Sequence, residues 1–176
     1  MIFMHKVREA MISSGNRPIQ GSVHVDEFVV GGQEAGHIGR SYGGKKKKVV
    51  CAVELTEAGK VKRFYALQIK DFLSKSLRPI FDQHIDKIAQ VTTDEWKGYH
   101  PIGKEYTIKQ VPSELGLNFK AIHTMIHKVK TWLRTTYSWI SKRHIDRYLS
   151  EFSYRINRSQ NKETIFHNLI TRMVKA

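Results

Sequence analysis

The stretch SVHVDEFVVGG, residues 22–32, decides how the chain can fold. It is rich in valine, it partly alternates apolar with polar residues, and it stops at two glycines, a pattern that predicts a β-strand. Asp26 interrupts the apolar run. A carboxylate inside such a strand is costly unless it is hydrogen-bonded, paired or bound to a metal. The strand therefore raises the question of which group stabilises the negative charge of Asp26.

Further strands are predicted around this first one. The segment 48–69 contains two β-rich runs that flank Thr56–Gly59, which predicts a hairpin. Residues 88–96 and 105–113 predict two more short strands. The first three strands are joined by short connections and are expected to be antiparallel neighbours. The fourth follows a helix, so it can lie parallel to the first.

Helical spacing of apolar residues replaces the strand pattern in the rest of the chain. Residues 71–85 predict a helix with Asp71 as its N-cap and a kink at Pro79. Three more helices are predicted over residues 118–137, 141–159 and 163–176, with Ser141 as the N-cap of the second. With 176 residues, the chain suits one α/β domain, in which a mixed sheet carries packed helices.

The composition limits the classes of protein that the chain can belong to. Cys51 is the only cysteine, which excludes a disulfide or a cysteine-rich zinc site within the chain. The sequence contains no run of about 18 apolar residues, so no membrane span is predicted. The first residues, MIFMHKVREA, lack the apolar segment of a secretory signal. We therefore expect a cytoplasmic protein with no membrane partner.

The net charge of +14 is the strongest global signal, and it is unevenly distributed. Residues 120–176 carry twelve Lys and Arg against three acids, so this third of the chain holds nine of the fourteen net charges. Solubility alone does not require one sign of charge. A basic surface of this size favours a polyanionic partner, most simply nucleic acid.

A second acid ends the predicted fourth strand, in VTTDEWKGYH, residues 91–100. If the first and fourth strands are adjacent, Asp26 and Asp94 can face each other across the sheet. Two nearby carboxylates repel unless a cation lies between them, and oxygen ligands suit Mg²⁺ or Mn²⁺. A two-metal site of this kind carries out in-line displacement at phosphorus. Glu27 and Glu95 alternate with these acids, so we expect them to be weaker candidates.

A third ligand would come from a later helix, but residues 118–137 contain no acid. That helix instead offers His123, His127 and Lys130 on one face. Imidazole is an acceptable ligand for Mn²⁺ and a poorer one for Mg²⁺. A histidine on a helix is more often an ordinary surface or core residue, and both interpretations stay open at this point.

Three segments carry a resemblance to a known family. They are VHVDEFVVGG, TTDEWKGY and IHTMIHKVKTWLRTTYSWISKRHIDRYLSEFSYRINRS. Over about residues 5–175 the chain resembles insertion-sequence transposases of the DDE superfamily. The resemblance implies a ribonuclease-H-like α/β fold, with a mixed sheet, helices on both faces and a helical C-terminal third.

The resemblance also implies the site residues. In the family a lysine follows the third acid by seven residues; here that lysine is Lys130, and His123 stands where a glutamate is usual, as in one branch of the family. His127, one turn on, is the alternative. Asp26, Asp94 and His123 would hold two Mg²⁺ or Mn²⁺ ions, and Lys130 would contact DNA phosphate. The residues implied to contact nucleic acid are Lys45, Lys46, Lys47, Lys48, Lys128, Lys130, Arg134, Lys142 and Arg143.

The implied activity is metal-dependent strand cleavage and strand transfer on double-stranded DNA, at element ends and target, with a homodimer in the DNA complex. Residues 21–176 would form the catalytic domain. Residues 1–20 would be a remnant and linker of an N-terminal zinc-ribbon and helix-turn-helix region that the family carries and this sequence lacks. Two alternatives stay open, namely an inactive or truncated DNA-binding derivative and a related metal-dependent nuclease.

Overall fold

The computed structural model describes residues 2–31 and 46–175, and within them one mixed sheet forms the centre of the molecule. Its strand order is β3-β2-β1-β4-β5. β1 is antiparallel to β2 and parallel to β4, as the sequence predicts. The strands are Ser22–Val30 (β1), Lys47–Leu55 (β2), Val61–Ile69 (β3), Gln90–Thr93 (β4) and Ile108–Gln110 (β5).

The described residues form five helices, and some of them pack on each face of this sheet. They are Ile2–Ala10 (α1), Ser74–His84 (α2), Lys120–Thr136 (α3), Ile145–Asn157 (α4) and Lys162–Lys175 (α5). Short 3-10 segments cover Lys97–Tyr99, Ile102–Lys104 and Glu114–Phe119. Among the described helices, none is long and apolar enough to cross a membrane.

The alternation of side chains along β1 divides the core into two parts. Val23 and Val25 point to one face, where they join apolar residues of α2 such as Phe81. Phe28 and Val30 point to the other face and pack with residues of α3 and α4. The predicted fold class, a ribonuclease-H-like mixed sheet with helices on both faces and a helical C-terminal third, is thereby confirmed.

Both predicted helix caps are wrong. α2 begins at Ser74, and Asp71 instead accepts a hydrogen bond from the Leu73 N–H at 3.0 Å, before the helix starts. α4 begins at Ile145, and no side chain caps it. In both cases irregular residues lie between the predicted cap and the first helical residue, so the polar residue does not occupy the N-cap position.

Glu151 connects the C-terminal helices to α1. The Glu151 side chain is buried, at 4% residue exposure, and its Oε2 accepts hydrogen bonds from Arg8 Nε at 2.8 Å and Tyr137 OH at 2.9 Å. Its Oε1 accepts from Arg155 Nη2 at 2.9 Å. Burial alone would raise the pKa of Glu151, but the hydrogen bonds from Arg8 and Arg155 lower it below its ordinary value. The folded protein therefore holds Glu151 as a paired carboxylate.

Side chains of α4 also cover the open edge of β3. Asn157 accepts from the Phe64 N–H at 2.7 Å and donates to the Phe64 carbonyl at 3.0 Å. Asp146 accepts from the Gln68 N–H at 2.7 Å. These bonds satisfy edge groups that would otherwise be free to pair with another strand.

Replacing Glu151 tests its structural role. We expect Glu151→Gln to lower the free energy of unfolding by about 3 kcal/mol, because it leaves the buried Arg8 guanidinium without its counter-charge. Urea unfolding followed by circular dichroism measures this, with the exposed Glu163→Gln as the matched control. The difference should shrink at acid pH, since a lowered pKa contributes stability that is lost as the pH falls through the folded value. Equal stabilities of the two variants would contradict the role.

Candidate metal centre and nucleic-acid groove

The parallel pairing of β1 with β4 brings two of the predicted ligands together. Ser22, Val23 and His24 pair with Gln90, Val91 and Thr92, and continuing this register by two residues puts Asp26 beside Asp94. Carboxylate oxygens of Asp26, Glu27 and Asp94 all lie within 4.8 Å of one another. Three carboxylates this close repel each other strongly and offer hard oxygen ligands to a divalent cation.

Asp26 is the best-defined member of this acidic cluster, Asp26, Glu27 and Asp94. Its Oδ1 accepts a hydrogen bond from the Glu27 N–H at 2.7 Å, and its Oδ2 lies 3.1 Å from Nε2 of His123. Burial raises the pKa of Asp26, and the negative charge of Asp94 adds to this, whereas the contacts with Glu27 N–H and His123 oppose it. The net effect is a raised pKa, as expected for a carboxylate that a cation would stabilise.

His123 reaches Asp26 because the packing of α3 fixes its orientation. Ile122, Ile126 and Val129 are buried against the sheet, which turns the side chain of His123 toward β1. His127, one turn further, is exposed and lines the clefts beside the acidic cluster. Of the two histidines, the structure thus brings His123 into contact with Asp26, and its role as third ligand stays a prediction.

A glycine that the sequence analysis passed over lies against His123. In the turn before α3, Leu115 and Gly116 have φ angles of 56° and 91°. A Cβ atom on Gly116 would lie 2.6 Å from Nδ1 of His123. The imidazole is therefore held between Asp26 and the Gly116 backbone. A glycine two residues before a predicted helix was the available signal, but only the packing reveals its purpose.

The turn after Asp94 is fixed by Gln110, a second residue that sequence reasoning missed. Gln110 Nε2 donates to the backbone carbonyls of Asp94 at 2.9 Å and of Trp96 at 3.0 Å. The Trp96 N–H donates to Oδ1 of Asp94 at 3.1 Å, and its indole N–H donates to the Phe72 carbonyl at 2.8 Å. Gln110 can do this because β5 runs parallel to β4 and ends beside Thr93. Nothing in its sequence context indicates the role.

Glu27, which the sequence predicts to be a weaker candidate than Asp26 and Asp94, lies close to both of them. Its position on β1 directs it to the opposite face from Asp26, near the hydroxyl of Tyr99, whose pKa is raised by burial and by Glu27. Its carboxylate nevertheless belongs to the acidic cluster. β4 ends at Thr93, so beyond this point no strand separates the two faces, and the longer glutamate side chain can approach Asp94.

Lys130 lies at the junction between the acidic cluster and a larger groove. Its Nζ lies 5.6 Å from the centre of the Phe28 ring, and partial burial lowers its pKa although the charge of Asp26 opposes this. With Asp26, Glu27 and His123 it lines a cleft of about 380 Å³. It also lines the neighbouring groove of about 990 Å³.

This larger space, which we call the basic groove, carries several of the predicted nucleic-acid contacts. Its lining residues include Lys46, Lys47, His127, Lys130, Arg134 and Trp139. No acid lines it within the described part of the chain. Trp139 is 78% exposed, so an indole ring is available beside the cations. A groove with this charge and an exposed aromatic ring suits a nucleic-acid strand.

The remaining predicted contacts have different surroundings. Lys48 is only 8% exposed, and its Nζ lies 5.8 Å from the centre of the Phe72 ring, so its contact with nucleic acid stays a prediction that its burial disfavours. Alternation along β2 explains this, because Lys48 points to the opposite face from Lys47. Lys128, Lys142 and Arg143 are exposed, and Lys128 lines a cleft beside His123. Lys45 lies outside the described residues.

Comparison with known proteins agrees with this arrangement. The model of the ISXO2-like transposase domain matches residues 18–157, which include both strands of the acidic cluster, α3 and α4. No curated protein and no solved structure matches the chain. The match covers most of the sequence, and the chain therefore belongs to the family of ISXO2-like transposase domains, the insertion-sequence transposases of the DDE type.

Proposed function

We propose that this domain cuts DNA strands at the ends of an insertion element and joins them to target DNA in a metal-dependent reaction. The observation that carries the proposal is the convergence of Asp26, Glu27 and Asp94 within 4.8 Å, with His123 3.1 Å from Asp26. This acidic cluster lies beside a groove lined by cations. The family supports a DNA transposase, and the cluster supports the chemistry.

The donor set fits a divalent cation. Asp26, Asp94 and His123 would hold Mg²⁺ or Mn²⁺, and Glu27 offers a further oxygen. An imidazole among the ligands favours Mn²⁺ over Mg²⁺. Two such ions, when bound, activate the attacking oxygen and stabilise the leaving oxygen of a phosphoryl transfer. The protein's own part is to hold these side chains in position, through the Gly116 backbone for His123 and through Gln110 for the turn after Asp94.

The basic groove provides the path for DNA. Lys130 lines both the groove and the cleft of the acidic cluster, so a phosphate bound at its ammonium group would lie next to the carboxylates. Lys46, Lys47 and Arg134 would neutralise neighbouring phosphates along the same strand. Trp139 would stack on a base.

The proposed catalytic domain comprises residues 21–176, and the assignment of residues 1–20 to a remnant of an N-terminal DNA-binding region stays a prediction. In the structure α1 packs against α4 and α5. An inactive DNA-binding derivative and a nuclease without joining activity share this fold and differ in the products they form. A homodimer in the DNA complex is also proposed from the resemblance alone.

Replacing Asp94 tests the metal chemistry. We expect Asp94→Asn to reduce strand cleavage and strand transfer in Mn²⁺ by more than about 100-fold, since ligand loss exceeds the effect of a supporting residue. The matched control is Glu95→Gln, which removes the same charge from the exposed neighbouring side chain. The assay uses labelled element-end DNA and resolves cleaved from joined strands on a denaturing gel.

The products distinguish the alternatives. A joined product from the parent protein supports a transposase, whereas cleavage without joining supports a nuclease. DNA binding with neither product, and with no Mn²⁺ bound in a calorimetric titration, supports an inactive derivative. Full activity of Asp94→Asn would contradict the assigned role of Asp94.

Replacing Gly116 tests how His123 is positioned. We expect Gly116→Ala to lower the rate of strand cleavage at least tenfold, because the new Cβ would displace the imidazole from Asp26. Gly59→Ala is the matched control, since Gly59 also has a positive φ, of 70°, but has no neighbouring atom within 4 Å of an added Cβ. Both variants carry similar backbone strain, so equal rates would show that the contact with His123 is unimportant.

A further inference from the structure

A second cationic site lies at the β3 edge of the sheet. A cavity of about 630 Å³ is enclosed by β3, the end of α2, α4, α5 and residues 11–17. Four arginines line it, and no acid does within the described residues. We call it the arginine cavity; the arginines are Arg17, Arg63, Arg158 and Arg172.

Among the described residues, only one of these four arginines forms an ion pair with an acid. Arg63 pairs with Glu54 and donates to the carbonyls of Arg17 at 2.8 Å and Pro18 at 3.1 Å. Arg17, Arg158 and Arg172 form no ion pair with an acid in the described part of the chain. A cavity with three uncompensated guanidinium groups attracts an anion.

Arg158 and Arg172 also share one aromatic neighbour. Their Cζ atoms lie 4.0 Å and 6.0 Å from the centre of the Tyr154 ring. The ring therefore forms a cation–π contact with the guanidinium of Arg158. A second fixed point is the hydrogen bond from Arg172 to the Ile12 carbonyl. Two like charges held near one ring repel each other, and an anion between them would remove this repulsion.

A buried hydroxyl group gives independent support. Ser153 lines the cavity and is only 5% exposed, and its Oγ is buried without a hydrogen-bond partner among the described residues. An unsatisfied buried hydroxyl is costly, which is explained if a ligand completes it.

The backbone of β3 adds further donors. Phe64 and Gln68 direct their N–H groups away from β2, toward Asn157 and Asp146. In an antiparallel strand the N–H groups of every second residue point to the same side, so the N–H of Ala66 also points away from β2. Ala66 lines the cavity.

We infer that the arginine cavity binds a phosphate group of a DNA strand, as a contact separate from the basic groove. Arginine forks match phosphate geometry, and the Ser153 hydroxyl and Ala66 N–H add neutral donors. Ala66 pairs with Cys51, which pairs with Asp26, so two strand spacings, roughly 10 Å, separate the backbones of Ala66 and Asp26. The inference rests on the proposed function only in taking DNA as the polyanion, because the cavity needs neither metal nor catalysis.

The test measures binding of a fluorescent DNA duplex in EDTA over a range of NaCl concentrations. We expect the double variant Arg17→Gln/Arg158→Gln to bind roughly tenfold more weakly than the parent and to lower the slope of log K against log salt by about 2. The matched control, Lys60→Gln/Lys104→Gln, removes the same charge from two exposed lysines outside the cavity. Equal losses in both double variants would overturn the inference, since they would reflect net charge alone.

Ser153→Ala separates a binding role from a structural one. We expect it to weaken DNA binding a few-fold with an unchanged salt slope, and to leave Tm unchanged or higher, because it removes an unsatisfied buried hydroxyl. A lower Tm with normal DNA binding would contradict the inference.

Two further arms identify the ligand and keep the tests separate. Millimolar inorganic phosphate that binds the parent and not the double variant, with unchanged DNA affinity, would show a small-anion site and overturn the DNA assignment. Asp94→Asn should bind the duplex in EDTA at least as tightly as the parent, because it removes a negative charge beside the DNA path. If Asp94→Asn binds DNA but does not cleave it, the proposed function is supported independently of the cavity. Unchanged DNA binding by Arg17→Gln/Arg158→Gln would then count against the arginine cavity alone.

Discussion

The parallel pairing of β1 with β4 is the constraint on which the candidate metal centre depends. Parallel strands need a crossover, and here the β2–β3 hairpin and α2 supply it. The register of this pair aligns Asp26 with Asp94. A slip of one residue would turn Asp26 to the α2 face and remove it from His123. The valine-rich core therefore fixes the position of the acids as well as the fold.

The position of His123, the third predicted ligand, is fixed by residues outside the β1–β4 pair. α3 packs on β1, β2 and β3 without belonging to the sheet, and its rotation is set by Ile122, Ile126 and Val129 against the sheet. His123 follows from that rotation, and the Gly116 backbone limits where its ring can lie. The three close carboxylates repel one another and contribute no favourable energy until a cation binds. Apolar packing on both faces of the sheet therefore offsets this repulsion.

Much of the fold could be predicted from the sequence because strands and helices leave periodic patterns. The parallel relation of β1 and β4, and from it the approach of Asp26 to Asp94, followed from the order of the elements. Residues whose role depends on the geometry of a turn or of a strand end could not be predicted in this way. The role of Gln110 depends on β5 lying beside β4, and that of Gly116 on the packing of the turn before α3 against His123. Glu27 joins the cluster although its strand position directs it to the other face. The wrong caps, Asp71 and Ser141, have the same cause, as the irregular turns before α2 and α4 leave no periodic signal.

The net charge of +14 gives less information than the pairing of individual arginines. Arg8 and Arg155 are bound to Glu151, and Arg63 to Glu54, so these guanidinium groups join α1 to α4, support α4 itself and join β3 to β2. Glu151 and Asn157 lie in the last of the three segments that carry the resemblance. In the structure they tie helices together and cover the β3 edge. Arg158, in the same segment, forms no ion pair within the described residues and lines the arginine cavity. A basic domain can thus be held together by some of its arginines and leave others for a polyanion, and the division follows from where its few acids are buried.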